Sequence, residues 1–277
     1  MTEVSALRLK GVKKNFIKVR GRRVFYLEKG AGEPVILVHG WMGSSVDYPQ
    51  LFPFLSEKFR TIIPDLPGFG ESERMPHSRI DDYAEFLKDF AEALDLKDFF
   101  LVGNCFGATI ALDFVIKFPK MVRKVALFTP IYSPSVLRKR WRTLFLLLKP
   151  RYFRHAIFWL FRRDKVLRAG YSLIFRHSRG AYKEDAILKK KHADWQSASE
   201  AALDLRQIDL TEKLGEIRLP VMIFVFKQDG ALVPSAIEKL QKLIPHAVLV
   251  KIDEGHFVDP DLMIPKYKKI TEFFHRK

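Results

Sequence analysis

The sequence predicts an α/β fold: a mostly parallel central sheet flanked by helices and interrupted once by a helical insertion. Three observations carry this expectation. Short apolar runs bounded by Gly or Pro recur at residues 34–38, 61–63, 99–102, 124–128, 221–226 and 247–252. They are apolar at nearly every position, which suits strands covered on both faces, as in a parallel sheet. Helical patterns lie between them, at 46–58, 80–94, 106–118, 235–243 and 260–274, and such alternation with short turns implies a doubly wound sheet. Finally, the alternation fails once, over 133–210, where the pattern is helical, aromatic and basic.

Taken in order, the chain starts with a hairpin. Phe16-Ile17-Lys18-Val19 and Val24-Phe25-Tyr26-Leu27 flank Arg20-Gly21-Arg22, an alternating pattern around a tight turn that reads as a sheet edge. In the segment 80–94, Ile80, Tyr83, Ala84, Leu87, Phe90 and Leu94 recur at three- and four-residue steps, one face of an amphipathic helix. A structureless loop as long as 133–210 is implausible inside a compact domain. The expected organisation is therefore a core from 1–132 and 211–277, with 133–210 as a basic helical lid or cap.

Composition agrees with a large packed core. Of 277 residues, 48% are apolar and 13% aromatic, including 24 Phe, which excludes disorder, collagen and coiled coil. Uninterrupted apolar runs such as Leu144 to Leu148 fall far short of the roughly 20 residues of a spanning helix. Residues 1–29 are studded with Lys and Arg and show no apolar signal region. The single cysteine cannot form an internal disulfide. A soluble cytoplasmic protein is the expectation. The charge is uneven: 48 Lys and Arg against 32 acids give +16, yet residues 138–195 hold 17 cations against four acids, or +13. The rest of the chain carries only about +3.

Chemistry concentrates at Phe99-Phe100-Leu101-Val102-Gly103-Asn104-Cys105-Phe106-Gly107-Ala108. A buried strand runs into G-x-C-x-G, and a helical pattern follows at once. Glycine is needed where a strained turn leaves no room for side chains. The start of the following helix presents a positive dipole end to the cysteine.

This stretch resembles the nucleophile elbow of α/β hydrolases, G-x-S-x-G, with cysteine in the serine place. Three further segments resemble that family in its own order. Val35-Ile36-Leu37-Val38-His39-Gly40-Trp41 is similar to the strand and turn before the oxyanion hole. Asp65-Leu66-Pro67-Gly68-Phe69-Gly70-Glu71-Ser72 resembles a loop of the lid-bearing members. Glu254-Gly255-His256-Phe257 follows a strand where the family keeps its catalytic histidine. The resemblance covers the chain apart from the insertion.

The resemblance implies a Cys105–His256–Asp229 triad acting on an ester or thioester. Cys105 attacks a carbonyl carbon and forms an S-acyl-enzyme; His256 moves the proton; Asp229 fixes the imidazole. The backbone N–H groups of Trp41 and Phe106 are the expected oxyanion donors. Asp229 stands one residue further from Val233-Pro234 than the family pattern has it, so Asp253 and Asp259 compete for its role. A thiolate yields a thioester that water deacylates slowly, so an acyltransferase or synthase stands beside a hydrolase. Two further alternatives are a non-catalytic lipid- or ligand-binding descendant and a serine esterase whose nucleophile was exchanged for Cys to trap the acyl-enzyme.

Structural readings compete with each of these assignments. A lone cysteine is most often a small buried hydrophobe, but one cysteine among 277 residues reaches this turn by chance about once in 277 placements. His39 is expected to shape the oxyanion turn, and Asp65 to order its glycine-rich loop. No histidine has ligand-like spacing with carboxylates, so no metal is expected. No dinucleotide motif opens a helix after the first strand, and no cofactor is expected. The insertion leaves two readings open: a lid whose cations stay solvated, or a surface that also touches anionic membrane. Nucleic acid is not an expected partner, because the aromatics sit in apolar clusters rather than as stacking platforms. The expected partner is a small ester or thioester with an apolar acyl group.

Overall fold

The computed structural model describes residues 11–150, 193–255 and 263–276, together with Tyr152, Ala156, Ile157, Trp159, Leu160, Arg163, Lys165, Val166 and Arg168. Eight strands form one sheet in the order β1-β2-β4-β3-β5-β6-β7-β8. They are β1 (Lys13–Val19), β2 (Arg22–Lys29), β3 (Pro34–Val38), β4 (Arg60–Pro64), β5 (Phe99–Asn104), β6 (Val122–Phe128), β7 (Val221–Phe226) and β8 (Val248–Ile252). The β1–β2 and β2–β4 pairs are antiparallel, and every pair from β4 through β8 is parallel. The hairpin expected at the edge turns at Arg20 and Gly21, both at positive φ (50° and 76°).

The strands are apolar throughout because both faces are covered. Along β3, Ile36 and Val38 join one core cluster while Val35 and Leu37 join the other. The same division recurs in β7, with Val221, Ile223 and Val225 on one side and Met222, Phe224 and Phe226 on the other. Helices α2 (Ile80–Ala93) and α3 (Phe106–Lys117) cover the first face. Helix α1 (Leu51–Ser56) and the C-terminal α8 (Ile264–His275) cover the second. There Phe100 stacks on Phe274 at 4.4 Å between ring centroids.

The helix expected over 46–58 is shorter than that. A single 3₁₀ turn, Ser45–Asp47, precedes α1. The reason is local: Pro49 disfavours helical backbone at Tyr48, whose φ and ψ are −115° and 56°. Pro53 is tolerated because it falls in the first turn of α1. The helical stretch expected over 235–243 is two short helices, α6 (Pro234–Glu238) and α7 (Leu240–Leu243).

Two further helices come from the region between β6 and β7: α4 (Lys139–Leu146) and α5 (Trp195–Leu205). Helix α5 is joined to the core by partly buried polar contacts. The Asp204 carboxylate accepts the Ile80 N–H at 2.8 Å, and Glu200 accepts the Ser78 N–H at 3.1 Å. These acceptors satisfy donors at the start of α2 beside the local cap, in which Asp82 Oδ2 accepts the Arg79 N–H at 3.0 Å. Among the described residues, no helix is long and apolar enough to cross a membrane.

Candidate active site

In a doubly wound sheet the carboxyl ends of the parallel strands open onto one edge, where such folds hold their ligands. The segments singled out in the sequence gather there: His39-Gly40-Trp41 after β3, Cys105 after β5, Asp229 after β7. His256 and Asp259 lie outside the described residues.

Cys105 occupies the one-residue turn between β5 and α3. Its φ and ψ are 53° and −109°, a conformation that costs a non-glycine residue about 1–3 kcal/mol. The turn persists because its surroundings over-determine it. The Cys105 N–H donates to Phe128 O at 2.8 Å, and its carbonyl accepts from Thr109 N at 3.1 Å and Thr109 Oγ1 at 3.2 Å. The same Thr109 hydroxyl accepts the Ile131 N–H at 3.0 Å. The flanking glycines are sterically required. A Cβ on Gly103 would lie 2.5 Å from Gly107 O, and one on Gly107 would lie 2.1 Å from Val38 O. Cys105 itself stays partly accessible.

The close approach at Gly107 yields a prediction. Gly107→Ala forces α3 away from the end of β3, where both clashing atoms are backbone carbonyls and neither can swing aside. An overpacking cost of about 3 kcal/mol lowers Tm by roughly 6–12 °C in a domain of this size. Thermal unfolding of the variant measures it, and an unchanged Tm would contradict the close approach.

The turn after β3 packs against the elbow. A Cβ built on Gly40 would stand 3.5 Å from Asn104 O and 3.8 Å from the Cys105 Cβ. The turn that carries Trp41, the next residue, therefore lies beside the elbow, which Phe106 follows as the first residue of α3. The N–H of Phe106 belongs to the first helical turn, which has no intrahelical acceptor. Its ring is locked in the core against Tyr83, at 5.3 Å between centroids.

His39 is fully buried, and its hydrogen bonds define its tautomer. Nε2 accepts the Leu66 N–H at 2.9 Å, so the proton is on Nδ1, which donates to Gly40 O at 2.9 Å. The ring therefore shapes the turn that carries Trp41. Asp65 orders its loop in the same manner: Oδ1 accepts Ser45 N–H at 2.6 Å, and Oδ2 accepts Glu71 N–H at 2.8 Å.

Asp229 is buried, 1% exposed. Its Oδ1 accepts the N–H groups of Ala231 and Leu232 at 2.7 and 2.8 Å. The extra residue before Val233-Pro234 is absorbed by a backbone pairing that the sequence did not announce. Leu137 and Leu232 form an antiparallel bridge, Arg138 N–H donates to Ala231 O at 3.1 Å, and Val233 N–H donates to Val136 O at 2.8 Å. Asp253, a competitor for the acid, is exposed and paired with Lys227 at 2.6 Å. The Lys227 ammonium holds its carboxyl below the usual range. It sits in solvent.

Two site contributions escaped sequence reasoning. The guanidinium of Arg138 donates from Nε and Nη2 to Asp229 O at 3.1 and 2.9 Å. Nothing in the sequence separates it from the solvated cations that follow. The Trp41 indole donates to Ala198 O of α5 at 2.9 Å, and its ring packs on Phe145 of α4 at 5.4 Å. Phe145 in turn packs on Trp141 at 5.9 Å. Thus α4 and α5 hold the turn that flanks the cysteine. Among the described residues, no group of three metal-ligating side chains gathers.

The strained cysteine turn, its two glycines and the strand order together define an α/β hydrolase. A family model described as alpha/beta hydrolase fold matches residues 33–258, and the chain belongs to this family. It is similar to a 2-hydroxy-6-oxo-2,4-heptadienoate hydrolase of Pseudomonas putida, with 40% identity over 105 residues, 35% of this chain and 37% of that protein. The chain thus aligns with under two fifths of that relative's length. A pyrrolizixenacetamide deacetylase of Xenorhabdus hominickii is 26% identical over 252 residues, 87% of this chain and 91% of the relative. Among solved structures, a thermophilic esterase from Thermogutta terrifontis superposes with a TM-score of 0.76 at 22% identity, covering 95% of this chain and 98% of that one. By their names these three are a hydrolase, a deacetylase and an esterase.

Proposed function

We propose that this chain is an acyl ester or thioester hydrolase that works through a Cys105–His256–Asp229 triad and an S-acyl-enzyme. The carrying observation is the position of the only cysteine, at a positive φ, between β5 and α3. A cysteine that served only as a small core hydrophobe would not need a strained turn with glycine on both sides.

The steps follow from acyl-transfer chemistry. The Cys105 sulfur attacks the substrate carbonyl carbon, a C–S bond forms, and the thiol proton passes to the His256 imidazole. The carbonyl oxygen becomes an oxyanion held by the N–H groups of Trp41 and Phe106, each such donor supplying roughly 3 kcal/mol where tested. The intermediate collapses, and the bond to the alcohol or thiol leaving group breaks. That group takes the proton from the imidazolium, which Asp229 stabilises. Water, deprotonated by the same imidazole, then attacks the thioester, releasing the acid and restoring the thiol.

The aromatic run Trp41, Phe145 and Trp141 beside the elbow favours an apolar acyl group. We read α4 and α5 as parts of a lid over it, since both contact Trp41. Cysteine in place of serine favours one second reading: transfer of the acyl group to an acceptor other than water. Intact-mass measurement during incubation with a panel of p-nitrophenyl and thioester substrates tests the proposal. A transient acyl adduct that decays as free acid appears supports hydrolysis. An adduct discharged only on adding an alcohol, amine or thiol supports transfer, and no adduct with any substrate overturns both.

A further inference from the structure

The outward surface of the insertion suggests a second property, independent of the triad. Helix α4 turns Phe145 inward, with Trp141 partly buried beside it and Leu148 buried just beyond. A plain lid would present only polar groups on the opposite face. Here that face carries exposed Leu146 and Leu147, with Leu144 exposed at its side. Among the described residues, nine large apolar side chains are exposed, and six of them fall between 144 and 160. Tyr152 and Trp159 are 90% and 60% exposed. Cations accompany them along the chain: Lys139, Arg140 and Arg142 are exposed on α4, and Arg163 lies over the Trp159 ring at 4.0 Å from its centroid.

We propose that this surface is a docking face for an anionic lipid bilayer, with the leucines and aromatics entering the headgroup boundary and the cations meeting lipid phosphates and carboxylates. Charge selects the occupant. Residues 138–150 hold five cations and no acid, so a second copy would set like charge against like. A nucleic acid would neutralise the cations but offers nothing apolar for Leu146 and Leu147. A lipid surface satisfies both, as interfacial helices with basic and Trp- or Leu-rich faces do. Each cation at such a surface strengthens binding about fivefold, and that gain is lost in salt. The buried apolar groups add a part that salt does not screen.

The test is co-sedimentation of the full chain with phosphatidylcholine vesicles and with vesicles also containing phosphatidylserine, at low and high salt. Binding is expected to be much stronger to the anionic vesicles, and high salt is expected to reduce it to the weaker level seen with phosphatidylcholine alone. Leu146→Ser/Leu147→Ser is expected to lose roughly tenfold in affinity and the salt-resistant part with it. Lys139→Gln/Arg142→Gln is expected to lose about 25-fold at low salt. All four side chains are exposed, so an unchanged Tm verifies each variant's fold. Absence of binding at low salt overturns the proposal, as does binding that neither variant weakens. Binding to single-stranded DNA as tight as to vesicles, and indifferent to the leucine variant, would overturn it in favour of unspecific polyanion contact.

Discussion

Iodoacetamide is expected to add one label to this protein and to abolish its turnover of p-nitrophenyl esters. Cys105 is the only thiol, so the label count and the lost activity report on the same atom. A carboxamidomethyl group on sulfur removes the nucleophile and fills the space that the substrate carbonyl must enter. Cys105→Ala makes the same point without added bulk. Alanine keeps the Cβ and therefore the strain at φ 53°, and the backbone bonds to Phe128 and Thr109 do not involve sulfur. The fold should persist while kcat falls at least about 10³-fold, since loss of a triad nucleophile elsewhere costs up to about 10⁶. Cys105→Ser separates two histories of the site: one tuned for serine gains activity, and one tuned for a thiol loses it. Undiminished turnover after complete labelling would remove Cys105 from the mechanism.

Much of this architecture was legible because its determinants are local or strictly periodic. Strands buried on both faces read as unbroken apolar runs, and β3 and β7 begin and end where those runs do. The elbow was legible because steric need forces glycine at Gly103 and Gly107. The failures have physical causes too. Residues 46–58 carry helical spacing, but Pro49 breaks the backbone before the pattern can be used. The Asp204 cap on α2 comes from a residue 124 positions away, and no local pattern encodes such a contact. Arg138 reads as one more solvated cation because its neighbours Lys139 and Arg140 are indistinguishable from it in sequence. Only the pairing of Leu137 with Leu232 brings its guanidinium to the Asp229 carbonyl. That pairing also explains how a loop one residue too long still buries its aspartate.

Asp229→Asn is expected to lower kcat by on the order of 10⁴-fold, the loss seen for the equivalent change in a serine protease, with little change in Tm. The two expectations have separate atomic causes. Oδ1 of Asp229 accepts the Ala231 and Leu232 N–H groups, and an asparagine Oδ1 accepts them equally. The loop that pairs with Leu137 and Arg138 is thereby kept. What asparagine cannot do is present a second acceptor to an imidazole N–H or stabilise imidazolium with a full negative charge. In the proposed triad the ring would then take the wrong tautomer and lose its hold on the proton of Cys105. Asp253→Asn serves as the control. Its carboxylate is exposed and paired with Lys227, and surface pairs of this kind contribute about 0–1 kcal/mol. It should leave kcat and KM within about twofold. Steady-state kinetics of the two variants, with Tm measured alongside, decide the assignment. If Asp253→Asn is the crippling change and Asp229→Asn is mild, the acid of this site is not the buried one after β7.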